Sequence, residues 1–228
     1  MNRRDAWLLP YNPFMGIQIK CVVSPKPRAL TVDDIRRISR VPYKKWGERG
    51  MNHCRMNLAK DIFLLSFCLM GMNLVDIFNC SEYDGECITY NRHKTMARRM
   101  DRAEMVVRVP DVAKRLLERW RDDTGERVFN FYRLYARSRS LHLAVMYGLT
   151  ELGRVTGIEA LQFYSARHSW ATIAVNDVEV DKYTVHMGLN HADPVMRITD
   201  RYIKKDWSIV HRANEKVMEY VFGKNAVL

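Results

Sequence analysis

The sequence lacks paired cysteines. Five cysteines occur in 228 residues, an odd number without any Cys-x-x-Cys spacing. They are Cys21, Cys54, Cys68, Cys80 and Cys87. Unpaired thiols of this kind are typical of proteins from a reducing compartment, where they fill the core. We therefore expect a cytoplasmic protein.

Long hydrophobic runs are also absent. The longest apolar stretch, from Ile62 to Met72, is too short to cross a bilayer. The segment from Met1 to Asp5 leads into no apolar core typical of a signal peptide. The sequence contains neither an internal repeat nor a low-complexity tract. With 47% hydrophobic and 28% charged residues, the composition predicts a folded, soluble protein.

Acidic residues are too few to balance the basic ones. Asp and Glu number 26 against 37 Lys and Arg, which gives a formal net charge of +11. An excess of this size favours a polyanionic partner, because each neutralised phosphate releases counterions. A basic surface without such a partner is the alternative, and charge alone does not decide between them.

A basic, proline-containing segment at 24–28 indicates the start of a domain. Pro25 and Pro27 fix φ and push the preceding residues out of the helical region. Thr31 follows as a candidate N-cap with Asp34 three residues later, so a helix should begin there. We expect one large domain over residues 26–228, preceded in residues 1–25 by the end of another unit.

The hydrophobic pattern predicts a mainly α protein with a small antiparallel β-sheet (α+β). Residues 57–72 are apolar and long enough for a buried helix. Short β-prone runs at 87–90 and 105–109 predict the sheet, from which a basic turn, Arg92 to Arg99, should project. The predicted helices beyond Pro110 span 111–121, 138–152, 163–176, 179–187, 194–203 and 207–222. Gly153 should end the second of these in the left-handed conformation.

The helix predicted at 163–176 carries several polar side chains on one face, where they could take part in catalysis. Helical spacing puts Tyr164, Arg167 and His168 on one face, together with Ala171. The opposite face, which should be buried, comprises Trp170, Ile173 and Ala174. An ordinary amphipathic helix with a solvated arginine is the alternative, and it is favoured when this segment is taken alone.

Two further segments matter because of their order in the chain. Asp193 and Pro194 predict a helix start, which puts His191 in the loop before it. Tyr202 follows 11 residues after His191, close to three helical turns, so it could return to the same side. The alternatives are that His191 is a loop histidine without a catalytic role, and that Tyr202, one of 11 tyrosines, has none either.

The order Arg-His, Leu-x-His and Thr-x-x-Tyr resembles the tyrosine recombinases of the phage-integrase family. The resemblance covers residues 26–228. It is closest to integrases of mobile elements in the Bacteroides group, which have similar Tyr-x-Ala-Arg-His-Ser-Trp-Ala and Asp-x-Tyr-Ile-Lys-Lys-Asp-Trp segments. It implies the catalytic-domain fold of that family and site-specific recombination of double-stranded DNA, as in integration or excision of a mobile element. It also implies a nucleoid-associated bacterial enzyme.

The resemblance further implies roles for single residues. Tyr202 would attack the scissile phosphodiester, form a 3′-phosphotyrosyl bond and free a 5′-hydroxyl, with no metal, ATP or other cofactor. Arg167 would clamp the phosphate and His191 would donate a hydrogen bond to it. Lys94 would protonate the leaving oxygen. The remaining expected residues are Tyr164 and His168 for support, and Arg92, Arg98 and Arg99 for contacts to DNA.

Three positions depart from the family pattern. The family has an arginine in or beside a Gly-x-Arg segment, where this chain has Met70 to Asn73 and no charge. Tyr164 stands in place of a histidine three residues before Arg167, and Asn190 in place of a usual glycine. We expect another cation to replace the missing arginine. The candidates, among which the sequence does not choose, are Arg55, Lys60, Arg92, Arg98 and Arg99.

The resemblance also bears on domains, assembly and an alternative function. Residues 1–25 resemble the end of a core-binding domain and its linker, so we expect a fragment or a truncated product. The last helix either packs its apolar face on its own domain or docks on a neighbour, so that a free monomer forms a higher oligomer on DNA. That face comprises Val210, Ala213, Val217 and Val221. The alternative function is a catalytically weakened DNA-binding module that regulates a related recombinase, and the missing arginine favours it.

Overall fold

Helices make up most of the described chain, which comprises residues 28–45, 54–191, 202 and 204–228 of this computed structural model. In chain order, the helices there are α1 (Val32–Arg40), α2 (Arg55–Cys68), α3 (Leu74–Asn79), α4 (Lys114–Trp120), α5 (Phe131–Leu134), α6 (Ser138–Thr156), α7 (Ser165–Asn176), α8 (Lys182–Gly188) and α9 (Trp207–Phe222). Three antiparallel strands form a sheet in the order β1 (Glu82–Tyr83), β2 (Cys87–Asn91) and β3 (Glu104–Arg108). The predicted mainly α class with a small antiparallel sheet is confirmed.

Some sequence predictions lie outside the described residues. They concern the segment 1–25, the thiol of Cys21 and, apart from Tyr202, the helix expected at 194–203. The other four cysteines are free thiols, and all of them except Cys87 are buried. Their expected place in the core is therefore confirmed for three of the five.

Helix α1 begins where the sequence predicts. The Thr31 hydroxyl accepts the backbone N–H of Asp34 at 3.2 Å, and the Asp34 carboxylate accepts the backbone N–H of Thr31 at 3.2 Å. This reciprocal pair satisfies two N–H groups that would otherwise lack partners at the helix end. These two hydrogen bonds therefore define where α1 begins.

Helix α2 runs through the core of the fold. Every residue after Arg55 is buried, because the segment is apolar on all sides and its few polar groups find partners. The Asp61 carboxylate accepts the Tyr43 hydroxyl at 2.7 Å and the Trp120 indole N–H at 3.0 Å. Along its length α2 packs on α6, where Gly148 allows a close approach. Neither α2 nor another helix in the described part of the chain is both long and apolar enough to cross a membrane.

The sheet forms where β-branched and aromatic residues alternate between turn signals. Ile88 of β2 pairs with Val107 of β3, and both side chains are fully buried. The observed bounds of β2 and β3 differ by one residue from those that the sequence predicts. The connection between these strands, residues 92–103, contains a short 3-10 turn at Met96–Arg98.

Helix α6 is one turn longer than the sequence predicts. The predicted end at Gly153 is wrong, because Gly157 is the residue in the left-handed conformation, with φ of +70°. Gly153 serves packing instead, since a Cβ there would lie 2.8 Å from the main-chain oxygen of Ile158. Both glycines fit the rule for a helix end, and only the tertiary structure decides between them.

Helix α9 packs on α7 and α8. The Asn214 side chain accepts the indole N–H of Trp170 at 2.8 Å and donates to the Cys68 carbonyl at 2.8 Å, which ties α9 to α7 and α2. The predicted apolar face is buried within the domain, from Val210 to Val221. Of the two interpretations of this face, packing on its own domain is the one observed. Docking on a neighbouring protomer stays a prediction.

Candidate active site

Arg167 lies on the inner side of α7 and is only 6% exposed. Its Nη1 donates to the Gly71 carbonyl at 3.0 Å, and its Nη2 donates to the Leu189 carbonyl. The alternative of a solvated arginine on an ordinary amphipathic helix is therefore wrong. The two main-chain acceptors hold the planar guanidinium in one orientation.

The segment without the family's arginine lies directly against Arg167. Gly71 has φ of +72°, and a Cβ there would lie 2.5 Å from the Cβ of Arg167. Only glycine allows this approach. Met70 is buried, and Asn73 donates to the Asp76 carboxylate at 3.3 Å. The segment thus gives Arg167 a close backbone neighbour but no second positive charge.

His191 lies in the loop after α8, beside the cations of the site. Its backbone N–H donates to the His186 carbonyl at 2.9 Å, and the two ring centroids are 5.6 Å apart. Partial desolvation, followed by the positive charges of Arg167 and Arg92, lowers the pKa of His191 to about 4. His186 and Lys94 lower this pKa further. The imidazole is therefore neutral at pH 7, with one ring N–H to donate.

Arg92 is buried, although the sequence predicts it at the start of an exposed basic turn. It is 6% exposed, and its Nη1 donates to the carbonyls of Leu189 at 3.3 Å and Asn190 at 3.2 Å. The predicted projection into solvent is therefore wrong for Arg92, whereas its contact with DNA stays a prediction. Its position directly after β2 explains the difference, because the loop after α8 covers the base of the β2–β3 connection. Its Nε is buried and has no hydrogen-bond partner in the described structure.

The two buried arginines meet at the Leu189 carbonyl, to which both donate. Among the described residues, neither has a carboxylate within salt-bridge distance. Asp76 exerts its charge on both, but its Oδ1 accepts the backbone N–H of His93 at 2.8 Å, and burial raises its pKa. Sequence reasoning missed Asp76, which carries no distinguishing motif. It also missed the Leu189 carbonyl, because every residue has a main-chain carbonyl and the type of residue does not show which carbonyl is used.

Asn190 connects the loop after α8 to the β2–β3 connection. Its Nδ2 donates to the Ala103 carbonyl at 2.8 Å, and its Oδ1 accepts Nη1 of Arg99 at 2.7 Å. Its φ is +49°, in the left-handed region that glycine and asparagine tolerate. The glycine expected here would allow this backbone but would supply neither hydrogen bond. Arg99 is also paired with Asp101, so it is less available for DNA than the sequence predicts.

Tyr202 is 85% exposed and, in the described part of the chain, contacts neither Arg167 nor His191. The residues on either side of it lie outside the described ranges. Three residues later, Lys205 donates to the Asp101 carboxylate at 2.6 Å. This contact ties the chain after Tyr202 to the β2–β3 connection. The convergence of Tyr202 with the two other residues stays a prediction.

The remaining predicted residues lie at the rim of the site. Lys94 and Arg98 are exposed on the β2–β3 connection. Tyr164 and His168 are exposed at the start of α7, where their rings meet edge to face with centroids 4.9 Å apart. Desolvation, with the charges of Arg28 and Arg167, lowers the pKa of His168. The structure therefore brings together Arg92, Lys94, Arg167 and His191, with Tyr164 and His168 along one edge.

In the described part of the chain, no three His, Cys, Asp or Glu side chains are grouped so that they could hold a metal ion. Comparisons of the chain with protein-family models, with curated proteins and with solved structures found no match. The functional assignment therefore depends on the motifs of the sequence and the geometry of the site.

Proposed function

We propose that residues 26–228 form the catalytic domain of a tyrosine recombinase, which breaks and rejoins double-stranded DNA through a covalent bond at Tyr202. The observation that carries this proposal is the burial of Arg167 beside a neutral His191, on which the charge of Lys94 also acts. A guanidinium that is buried without a carboxylate partner is well suited to an anion as its ligand.

The residue types match the steps of a phosphoryl transfer. The Tyr202 hydroxyl gives up its proton to solvent as its oxygen attacks the phosphorus; a bond forms between that oxygen and phosphorus, and the bond from phosphorus to the 5′-oxygen breaks. Lys94 gives a proton to that leaving oxygen. Arg167 and the ring N–H of His191 meet the charge that develops on the phosphate oxygens. Rejoining is the same sequence in reverse, with a 5′-hydroxyl as the attacking group.

The arrangement of the elements supports this assignment of roles. The β2–β3 connection carries Lys94 to the loop that bears His191, and Asn190 joins the two segments. The tie between Lys205 and Asp101 keeps the chain that follows Tyr202 close to the same connection. In this proposal, binding of DNA brings the exposed Tyr202 hydroxyl to the phosphate. The segment 1–25, as the end of a core-binding domain, is part of the same proposal.

A regulatory DNA-binding module is the second candidate. Two observations favour it: the absence of charge at Met70 and Asn73, and the lack of contact between Tyr202 and Arg167 in the described structure. Such a module would bind DNA through the same cations but would form no covalent bond.

Covalent trapping separates these two functions. A pool of duplexes of random sequence, each with a nick that lets the 5′-hydroxyl fragment diffuse away, serves as substrate even though the recombination site is undefined. The proposed enzyme should form a DNA–protein complex that survives SDS. Tyr202→Phe should abolish that complex, whereas Tyr220→Phe, at another exposed tyrosine, should leave it unchanged. DNA binding without any complex in the parent protein would favour the regulatory module.

A further inference from the structure

The β2–β3 connection carries a carboxylate in a basic stretch. From 92 to 103 the sequence has five basic residues and a single acidic one, Asp101. Lys94, Arg98 and Arg102 of this stretch are exposed. A carboxylate on a surface that binds DNA repels the phosphates. An acidic residue at this place therefore weakens the proposed contact with DNA unless its charge is used within the protein.

Asp101 binds two cations that come from different parts of the chain. Arg99 donates to it through Nε at 2.8 Å and through Nη2 at 2.6 Å, one hydrogen bond to each carboxylate oxygen. Lys205 donates to the same carboxylate at 2.6 Å. A phosphate accepts a guanidinium in the same two-pronged way and an ammonium group as a point charge. The carboxylate thus lies where two oxygens of a phosphate would fit.

The three side chains remain open to solvent. Those of Arg99, Asp101 and Lys205 are 21%, 38% and 43% exposed. The hydrogen bond from Arg99 is the largest cause that holds the pKa of Asp101 well below its usual range, while burial opposes it and Lys205 adds to it. The carboxylate is therefore ionised at neutral pH. Because exposed ion pairs contribute little net free energy, another anion can replace this one at little cost.

The ion pair with Lys205 bears on the proposed nucleophile. Lys205 follows Tyr202 by three residues. In the arrangement that contains this ion pair, Tyr202 is 85% exposed and, among the described residues, contacts neither Arg167 nor His191. The ion pair thus belongs to an arrangement without the convergence that cleavage would require.

From these contacts we propose that Asp101 competes with DNA for Arg99 and Lys205. In the free protein its carboxylate holds both cations, and on binding a backbone phosphate takes them over, which ends the tie between Lys205 and the β2–β3 connection. The proposal rests on the proposed function, because the competing anion is a phosphate of a DNA strand. Its consequence is an internal restraint, since the chain after Tyr202 is released only when DNA is bound.

A local role in the turn is the alternative for Asp101. Its Oδ1 also accepts the backbone N–H of Ala103 at 3.0 Å, a type of contact that aspartate and asparagine both make. Asp101→Asn therefore keeps the acceptor for the turn and removes the charge, so the two roles can be separated.

The first test is a double-mutant cycle that measures affinity for a random-sequence duplex. Asp101→Asn should raise the affinity by about 2- to 10-fold, because two cations become available to phosphates. In the background of Arg99→Met and Lys205→Met, the same change should raise it no more than Glu104→Gln does in the parent. Glu104 is the matched control, an exposed carboxylate that pairs with neither cation in the described structure. An equal gain in both backgrounds would mean that Asp101 only repels DNA, and the inference is overturned.

The second test follows Lys205 in the parent chain. Its Nζ lies 5.7 Å from the ring centroid of Trp207, so the emission of this tryptophan reports on the position of Lys205. Saturating duplex DNA should change that emission, taken as the difference from Trp207→Phe, and Lys205→Met should abolish the change. No change in the parent, or the same change in Lys205→Met, overturns the inference, also where Asp101→Asn does not fold.

Neither test depends on cleavage, so failure of the competition is distinguishable from failure of the proposed function. The expected results in a protein that never forms the covalent complex on the nicked random pool support the competition and contradict the recombinase. A covalent complex at Tyr202 without the expected coupling between Asp101 and the two cations contradicts the competition alone.

Discussion

At the scale of the residue, the site is built around a main-chain acceptor. The Leu189 carbonyl accepts from both Arg92 and Arg167, and the backbone of Gly71 approaches Arg167 so closely that a Cβ would not fit. These contacts fix two guanidinium groups before any ligand arrives. Preorganisation of this kind would lower the reorganisation that accompanies the proposed reaction.

His191 gives the most direct spectroscopic report on that site. Its pKa in the folded chain is about 4, against 6.5 for an unperturbed histidine, so the unfolded chain takes up the proton first as the pH falls. We predict that His191 lowers the free energy of unfolding as the pH falls from about 6.5 to 4. Inorganic phosphate should raise this pKa, because an anion favours the charged ring. An NMR titration, assigned with His191→Asn, measures the pKa with and without phosphate, and a pKa near 6.5 without phosphate would refute the cationic environment. Urea unfolding of the parent and of His191→Asn at about pH 6.5 and pH 4 measures the change in stability.

Asn190 should matter for stability through its side chain as well as its backbone. Asn190→Gly keeps the left-handed φ of +49° but removes two hydrogen bonds, at a cost of about 1–3 kcal/mol. The Ala103 carbonyl keeps the backbone N–H of Arg92, and Arg99 keeps Asp101. Asn190→Ala should cost about 1–2 kcal/mol more, because a Cβ without a local polar group disfavours this backbone. Urea unfolding measures both values. An alanine variant as stable as the glycine variant would show that the conformation is not imposed by the fold.

Several residues of the candidate site follow from the sequence, but the burial of Arg92 does not. The order of Arg167, His191 and Tyr202 suggests a shared site, and the structure brings the first two together. Arg92 is one of several basic residues in a row, and nothing in that row distinguishes a buried arginine from a solvated one. The distinction arises from the loop after α8, which is distant in the sequence and whose Leu189 and Asn190 carbonyls accept Arg92.

At the scale of the element, the packing of α2 on α6 depends on the absence of a side chain at Gly148. A Cβ at Gly148 would lie 2.0 Å from the Arg55 carbonyl oxygen and 2.6 Å from the Cβ of Ala59. Backbone atoms of a buried helix cannot move away without disturbing the core. The close approach therefore depends on glycine at this one position of α6.

We predict that Gly148→Ala destabilises the protein by at least about 1–3 kcal/mol, which is the usual cost of overpacking a core. Leu143→Ala, at a position of the same helix that is 52% exposed, should have a small effect. Thermal unfolding of both variants gives the comparison. A gain in stability for Gly148→Ala, as expected from helix propensity alone, would mean that the two helices are farther apart than described.

Element boundaries show where sequence patterns succeed and where they fail. The capping box at Thr31 is local, so the start of α1 follows from the sequence. The end of α6 depends on a choice between Gly153 and Gly157, which local rules treat alike. The same limit applies to the apolar face of α9, since its spacing fits packing within the domain and docking on a neighbour equally well.

At the scale of the whole molecule, the charge balance predicts how DNA binding responds to salt. With a net charge of +11, we expect affinity for a random-sequence duplex to fall steeply between about 50 and 200 mM salt. Arg98→Met should reduce the slope of log affinity against log salt by about one, because an exposed contact to one phosphate is lost. Fluorescence anisotropy measures both slopes. Affinity that does not change with salt would contradict a phosphate-binding surface.

The class of the fold was accessible from hydrophobic periodicity, whereas the position of the proposed nucleophile was not. Periodicity reports which faces are buried, and it predicts α9 and the hairpin well. The buried helix predicted at 57–72 is observed as Arg55–Cys68, so its end differs by four residues. Whether Tyr202 reaches the phosphate depends on a segment that joins α8 to α9 and on a ligand that the sequence does not contain. In the described chain Tyr202 is exposed, so the proposed role would require that DNA binding bring it to the site.

Mass spectrometry of the trapped complex tests the proposed chemistry most directly. Trypsin cuts after Arg201 and Lys204 and should release the peptide Tyr202-Ile203-Lys204 from the nicked-DNA adduct. After nuclease digestion, we predict that this peptide carries a 3′-linked nucleotide on the tyrosine oxygen. The modification should be absent in Tyr202→Phe and greatly reduced in Arg167→Met. An adduct on any other residue, or no adduct on DNA that the protein binds, would contradict catalysis by Tyr202.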